Sequence, residues 1–239
     1  MFSNEEAFLG VDLRGYQRSF RAVRYVFDHK ADSRLLSSIA DRGSELAGRV
    51  NQALADSTSI YRDPERLENS CISGILSKFC WKSYLNRRAG FRFAVEPAPS
   101  GVREQIDLVT IGGHSIEVRS SFPRSGIKFA LFNHSHQFDV LGPGSASVRP
   151  GEVCKDFYVR ALYPFASSAF WSRFTSRLEV YLTGGATWNM MADPAYFIEK
   201  DLQPEDDVFS CGEKSCYRVV PLSLALDTPD IADYIISCT

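Results

Sequence analysis

Apolar positions change their period near residue 90. Before it they recur every three to four residues, the spacing of one helix face. The segment RGYQRSFRAVRYVFDHK is basic on one face and carries Phe20, Val23 and Phe27 on the other. From Asp32 to about Leu54 the stripe is Leu35, Leu36, Ile39, Leu46, Val50 and Leu54. After the break STSIYRDP, ERLENSCISGILSKFCWKSYLNR (Glu65 to Arg88) sets Leu67, Cys71, Ile75, Leu76, Phe79 and Leu85 on one side. Pro64 suits the first turn of that helix, Asp63 its cap and Gly90 its end. The pattern therefore predicts a helical region over residues 1–60 and a long helix after it.

Beyond residue 90 the runs shorten and become rich in β-branched and aromatic residues. FRFAVEP, QIDLVTI and SIEVRSSF read as strands. Gly112 and Gly113 form a tight turn between the last two. The stretch LGPGSASVRPGE reads as a loop, and KDFYVRALYPF, RLEVYLTGG and CYRVVPL as further strands. ATWNMMADPAYFIE reads as helical, and SLALDTPDIADYII as a closing helix capped by Ser223. Helices followed by a mixed set of strands predict an α/β or α+β fold. Residues 61–239 form its main domain, continuous with or separate from the first 60.

Composition narrows the class. With 239 residues, 44% hydrophobic and 23% charged, the chain can bury a core and is not a disordered tail. No run approaches the roughly 18 apolar residues of a membrane span. The acidic start MFSNEEAFLG is unlike a secretory leader, which predicts a cytoplasmic protein. Cys71 and Cys80 fall on the apolar stripe and read as core. Cys211 and Cys216 lack a second pair at zinc-ribbon spacing.

Candidate chemistry concentrates in GVREQIDLVTIGGHSIEVRSSF. Asp107 lies on one strand and Glu117 on the next, joined by the glycine turn. Alternation along a strand sends Glu117 and Arg119 to one face, and Ile116 and Val118 to the other, where a helix can cover them. Two carboxylates and a cation so placed meet the needs of metal-assisted phosphodiester hydrolysis. Carboxylate oxygens suit magnesium, the metal activates a water, and the cation neutralises developing charge.

This arrangement resembles the PD-(D/E)XK superfamily, whose members have the restriction-endonuclease-like fold. Its motif is an acid at a strand end, a hairpin, then acid-x-Lys, usually preceded by a helix. Asp107 matches the first acid, with Ile106 before it in place of Pro, and Glu117-Val118-Arg119 matches the second half. The resemblance covers about residues 60 to 165. It implies a mixed central sheet flanked by helices and a Mg²⁺- or Mn²⁺-dependent DNA endonuclease in restriction, defence or DNA processing, with a homodimeric assembly. Asp107 and Glu117 would be metal ligands, and Glu68 on the preceding helix is the candidate third ligand. The family lysine is replaced by Arg119, which stays protonated and cannot activate water as a base, but can clamp a phosphate oxygen. Lys128 is a candidate source of the missing ammonium.

Charge supplies candidate DNA contacts. Between Lys78 and Lys128 nine Lys or Arg face four acids, so that span carries +5 in a chain of net charge −2. Arg87, Arg88, Arg103, Ser120, Arg124 and Lys128 are the candidate phosphate contacts. Equally, Arg87 and Arg88 can simply finish a helix, where cations suit the dipole. His134 and His136 would share a strand face and could touch metal or phosphate, or be ordinary surface residues.

Three readings compete. The first is a metal-dependent endonuclease. The second is a non-catalytic nucleic-acid-binding module with a degraded nuclease site, argued from Arg119. The third is a protein-interaction domain with no nucleic-acid role, in which the acidic remainder of the surface meets a partner; the plain alternative for Asp107, Glu117 and Arg119 is a cross-strand ion pair on a solvated face.

Overall fold

The computed structural model describes residues 1–11, 17–49, 64–97, 106–122, 140–144, 153–202 and 215–239. The chain opens with an antiparallel pair, β1 (Phe2–Val11) and β2 (Gln17–Asp28). Helices α1 (Ser33–Arg49) and α2 (Pro64–Ala89) follow. Next come β3 (Ala94–Val95), β4 (Leu108–Thr110), β5 (Ser115–Ser121), β6 (Val140–Gly144) and β7 (Phe157–Leu162). The remainder is α3 (Phe170–Phe174), β8 (Arg177–Thr187), α4 (Trp188–Ala192), β9 (Ile198–Leu202), β10 (Ser215–Val220) and α5 (Thr228–Ser237). Among the described residues, seven strands form a mixed sheet in the order β1-β2-β8-β7-β5-β4-β3, and β6-β10-β9 form a smaller one. β5 and β7 are parallel, while the other neighbours in the large sheet are antiparallel. The α+β class read from the sequence is the class observed.

Each face of the large sheet is covered. Val23, Tyr25 and Phe27 of β2, Ile116 and Val118 of β5 and Leu178, Val180 and Leu182 of β8 pack with Leu36, Ile72, Leu76 and Trp81 of the helices. Phe20, Ala22, Tyr158, Leu162 and Tyr181 point the other way and pack with Val140, Val220 and Met191 beside the smaller sheet. Helices, large sheet and small sheet thus form three layers. Trp81, fully buried, donates its Nε1–H to the Arg160 carbonyl at 3.0 Å and ties α2 to β7.

Several expectations change here. The helix expected over Arg14 to Lys30 is strand β2. Its apolar residues alternate: even positions face the small sheet and odd positions the helices. A strand buried on both faces shows no single period, and the spacing of Phe20, Val23 and Phe27 mimics a helix. Of the expected N-terminal helical region, α1 is the part observed, and β1 and β2 are bonded into the same sheet as the motif strands. LGPG, expected in a loop, lies in β6. The closing helix is capped by Asp227, whose carboxylate accepts the Asp230 N–H at 3.0 Å, and not by Ser223. Thr228-Pro229 opens that helix, and Pro suits a first turn. The long helix matches its expected span, with the Gly90 N–H returning to the Arg87 carbonyl at 3.2 Å. Cys71 and Cys80 are core residues, as expected. Cys211 lies outside the described residues.

Two helix glycines give opposite expectations. A Cβ at Gly74, in the middle of α2, meets nothing within 4 Å. Gly74→Ala should stabilise the protein by about 0.5–1 kcal/mol through helix propensity. A Cβ at Gly43 would stand 2.4 Å from Ile72 Cγ1 and 2.9 Å from Ile72 Cα, so Gly43→Ala should destabilise by separating α1 from α2. Urea unfolding midpoints moving in opposite directions would check both.

Candidate functional site

The site is built around the β4–β5 hairpin. Its turn closes through the Gly113 N–H to the Thr110 carbonyl at 2.9 Å, with Gly113 at φ +86°, a value that suits glycine. The turn sets Leu108 opposite Ile116. Asp107 therefore stands just beyond the last paired residue of β4. Its Oδ2 accepts the Val118 N–H at 2.9 Å, so a carboxylate takes the position that a backbone carbonyl would hold. The same carboxylate lies beside the residue between Glu117 and Arg119.

Glu117 and Arg119 point to one face, as alternation requires. The Arg119 guanidinium meets Glu117 Oε1 at 2.8 Å, and both side chains are largely enclosed, at 26% and 15% exposed respectively. Ile116 and Val118 take the helix-covered face. Parity puts Ser121, rather than Ser120, on the Glu117 face. Ser121 Oγ accepts from Arg160 at 2.8 Å. Arg160 is 4% exposed and is the register partner of Arg119 across the parallel β5–β7 pair.

From the helix layer comes Lys78, on the polar side of α2. Its Nζ lies 3.6 Å from Asp107 Oδ1. Carboxylates and cations thus share one end of β4 and β5: Lys78 approaches from the helix side, and Arg119 with Glu117 lies on the other.

The remaining candidates have separate placements. Glu68 lies ten residues before Lys78, about 15 Å along a helix, and its carboxylate accepts from the Ser44 hydroxyl of α1. The structure does not bring it to Asp107. Arg87 donates to Ser3 and lies 5.9 and 5.7 Å from the Tyr25 and Tyr84 ring centres. Arg88 grips Asp233 of α5 with two nitrogens, and these bonds hold the Asp233 carboxyl below its usual range. Both arginines thus hold helix α2 to its neighbours. Arg103, Arg124, Lys128, His134 and His136 lie outside the described residues. Sequence reasoning counted Lys78 only within the basic span and passed over Arg160. The signal for Arg160 was an arginine inside the apolar run FYVRAL.

One turn after Lys78, Lys82 pairs with Glu96, which Arg42 of α1 also contacts. Burial pushes the Glu96 carboxyl up, but hydrogen bonds from Lys82 and Arg42 outweigh it and leave it below the ordinary 4.5. A carboxyl depressed in the folded state contributes stability above its unfolded pKa and loses it as pH falls through the folded value. Lys82→Met should therefore lower stability at pH 6 and shrink the further loss on going to pH 3.5. Urea unfolding of both proteins at the two pH values measures this.

Two carboxylates suit magnesium, which is commonly held by one or two carboxylates with waters and substrate phosphates completing its shell. Among the described residues no cluster of three or more His, Cys, Asp or Glu is placed to hold a metal by itself. Among them, too, no helix is long and apolar enough to cross a membrane. Comparison of the chain with family models, curated proteins and solved structures finds no match.

Proposed function

We propose that the chain is a metal-dependent endonuclease that hydrolyses phosphodiester bonds in DNA, in restriction, defence or DNA processing. The observation that carries this reading is the hydrogen bond from Val118 N–H to Asp107, which holds that carboxylate against the backbone between Glu117 and Arg119, with Arg119 against Glu117. Asp107 and Glu117 would hold Mg²⁺ or Mn²⁺, which supplies charge neutralisation and acidifies a bound water. Arg119 would bind a non-bridging phosphate oxygen with its charged fork. In the reaction the water oxygen bonds to phosphorus and one phosphorus–sugar oxygen bond breaks. The departing oxygen takes up a proton, leaving a phosphate monoester and an alcohol. A homodimer would match the two-fold symmetry of duplex DNA.

The second reading, a binding module without catalysis, draws on the ion pairs Lys78–Asp107 and Arg119–Glu117, which already neutralise the site. One assay separates the two. Purified protein is incubated with mixed plasmid and phage DNA in Mg²⁺, Mn²⁺ or EDTA, and binding is followed by gel shift at rising salt. Cutting that needs metal supports the nuclease. Salt-dependent binding without cutting in any metal supports the module. Absence of both removes nucleic acid from the account and leaves the protein-interaction reading.

A further inference from the structure

We infer that Trp171 is a stacking platform for an unpaired nucleobase, so that the DNA this chain takes carries a single-stranded stretch beside the bond that is cut. The inference rests on the nuclease reading above and names its substrate class. β5 and β7 run parallel and finish together: Ser121 is the register partner of Leu162, and the Tyr163 N–H donates to the Ser121 carbonyl at 3.0 Å. From that end an aromatic series leads outward. The Phe122 ring stands 5.8 Å from Phe170, Phe170 5.6 Å from Phe174, and Phe174 5.3 Å from Trp171. Helix α3 is thus seated at the end of the strand that carries Glu117 and Arg119.

Trp171 is 45% exposed, whereas tryptophan is on average a well-buried residue. Its ring lies parallel to Phe174 at an interplanar angle of 3°, and Phe174 belongs to the core. The Trp171 carbonyl accepts both the Thr175 N–H at 3.0 Å and the Thr175 hydroxyl at 2.9 Å, which fixes the turn that carries it. A ring backed by the core and open to solvent loses little freedom when a base stacks on it.

Charge selects the occupant. From Phe157 to Leu178 the chain carries Arg160, Arg173 and Arg177 and no Asp or Glu, in a protein of net charge −2. Trp171, Ser172 and Arg173 are successive exposed residues. Arg177 meets Glu179 at 3.4 Å, while Arg173 has no ion-pair partner among the described residues. An open aromatic face beside an uncommitted cation suits a base and its phosphate. The base must be unpaired, because bases inside a duplex stack on one another and offer no face. Phe91 is the internal contrast. It is 54% exposed, but it meets Phe93 edge-on at 78°, and the Phe93 carbonyl accepts from Ile111 beside the hairpin turn, at the other end of β5.

The test uses a thymidine oligonucleotide of about 16 nucleotides and a duplex of the same length, in EDTA so that neither is cut. Affinity and tryptophan fluorescence are followed for wild type, Trp171→Phe and Trp171→Ala, beside a thermal melt and light scattering. The chain has three tryptophans, of which Trp81 is fully buried and Trp188 partly buried, so quenching by a stacked base should come from Trp171. The expected result is quenching in wild type alone. Single-strand affinity should fall about 10–100-fold in Trp171→Ala and stay within about threefold in Trp171→Phe, with duplex affinity and melting unchanged. Single-strand affinity undiminished in Trp171→Ala overturns the inference. So does quenching that persists in both variants, which belongs to another tryptophan. A loss shared equally by single strand, duplex and melting temperature also overturns it and marks a structural ring. A change of oligomeric state with DNA affinity intact overturns it in favour of a protein contact. Cleavage of plasmid DNA in Mg²⁺ by wild type, beside an undiminished Trp171→Ala, removes Trp171 alone. A wild type that neither binds nor cuts DNA brings down the nuclease reading and this inference with it.

Discussion

Glu117→Gln is expected to lower metal-dependent DNA cleavage by about 10²–10⁴-fold while leaving the fold in place. The substitution preserves size and one acceptor oxygen but removes the charge. A bound metal contributes several kcal/mol of charge stabilisation in the transition state. Loss of about 3–5 kcal/mol converts to the stated range at about 1.4 kcal/mol per tenfold. The enclosure of Glu117, 15% exposed, limits replacement of the lost charge by solvent. On stability the same change weakens the contact with Arg119 and should cost about 1–2 kcal/mol, against a typical total of about 5–15 kcal/mol. Activity and stability are therefore separable in one experiment. Cleavage rates in Mg²⁺ and Mn²⁺ are read beside a thermal melt and a calorimetric Mn²⁺ titration. Unchanged cleavage with unchanged metal affinity would show that Glu117 is not a ligand and would return the Glu117–Arg119 pair to ordinary surface electrostatics.

The largest effect on stability is expected at Gly184, with Gly184→Ala costing about 3–5 kcal/mol. Two causes add. Gly184 has φ +76°, a conformation that costs an L-residue about 1–2 kcal/mol. A Cβ there would lie 2.1 Å from the Leu226 carbonyl oxygen and 2.8 Å from Phe20 Cζ, so backbone must move to admit it. Leu226 is paired to Gly185 in both directions at 3.0 Å, and Thr228 Oγ1 accepts the Gly184 N–H at 2.9 Å while donating to the Leu182 carbonyl at 2.6 Å. Displacing Leu226 therefore strains the start of α5 as well. The glycine serves an irregularity: β7 and β8 shift register between Val159 and Ala161, so Arg160 faces two residues of β8 in place of one. Gly184→Ala should thus also perturb Arg160 beside the candidate site. Urea unfolding gives the free energy. A variant within 0.5 kcal/mol of wild type would mean that the Leu226 segment yields easily.

Local features were legible where one signal acted alone. Pro64, the apolar stripe and Gly90 marked both ends of α2, because caps and helix period are short-range effects. Gly112-Gly113 marked the hairpin for the same reason. The shared face of Glu117 and Arg119 followed from alternation. Parity also settles the serines, setting Ser121 rather than Ser120 on that face. β2 and β6 were misread because their signals conflict. β2 is buried on both faces, and β6 contains the Gly-Pro-Gly of a turn yet pairs with β10.

The sequence by itself determined the elements near the motif, the hairpin that joins Asp107 to Glu117, and the orientation of Glu117 with Arg119. Only the tertiary structure decided which cations reach the acids. Lys78 lies 29 residues from Asp107, and Arg160 lies 41 from Arg119. Local periodicity carries no information about contacts at such separations, because they depend on how α2 is laid on the sheet and on the parallel register of β5 and β7. The same packing assigned Arg87 and Arg88 to the joints between α2 and its neighbours and turned Glu68 toward α1. Charge counted along the chain gives the number of cations in a segment. Their directions come from the packed core, which fixes the rotation of each helix about its axis.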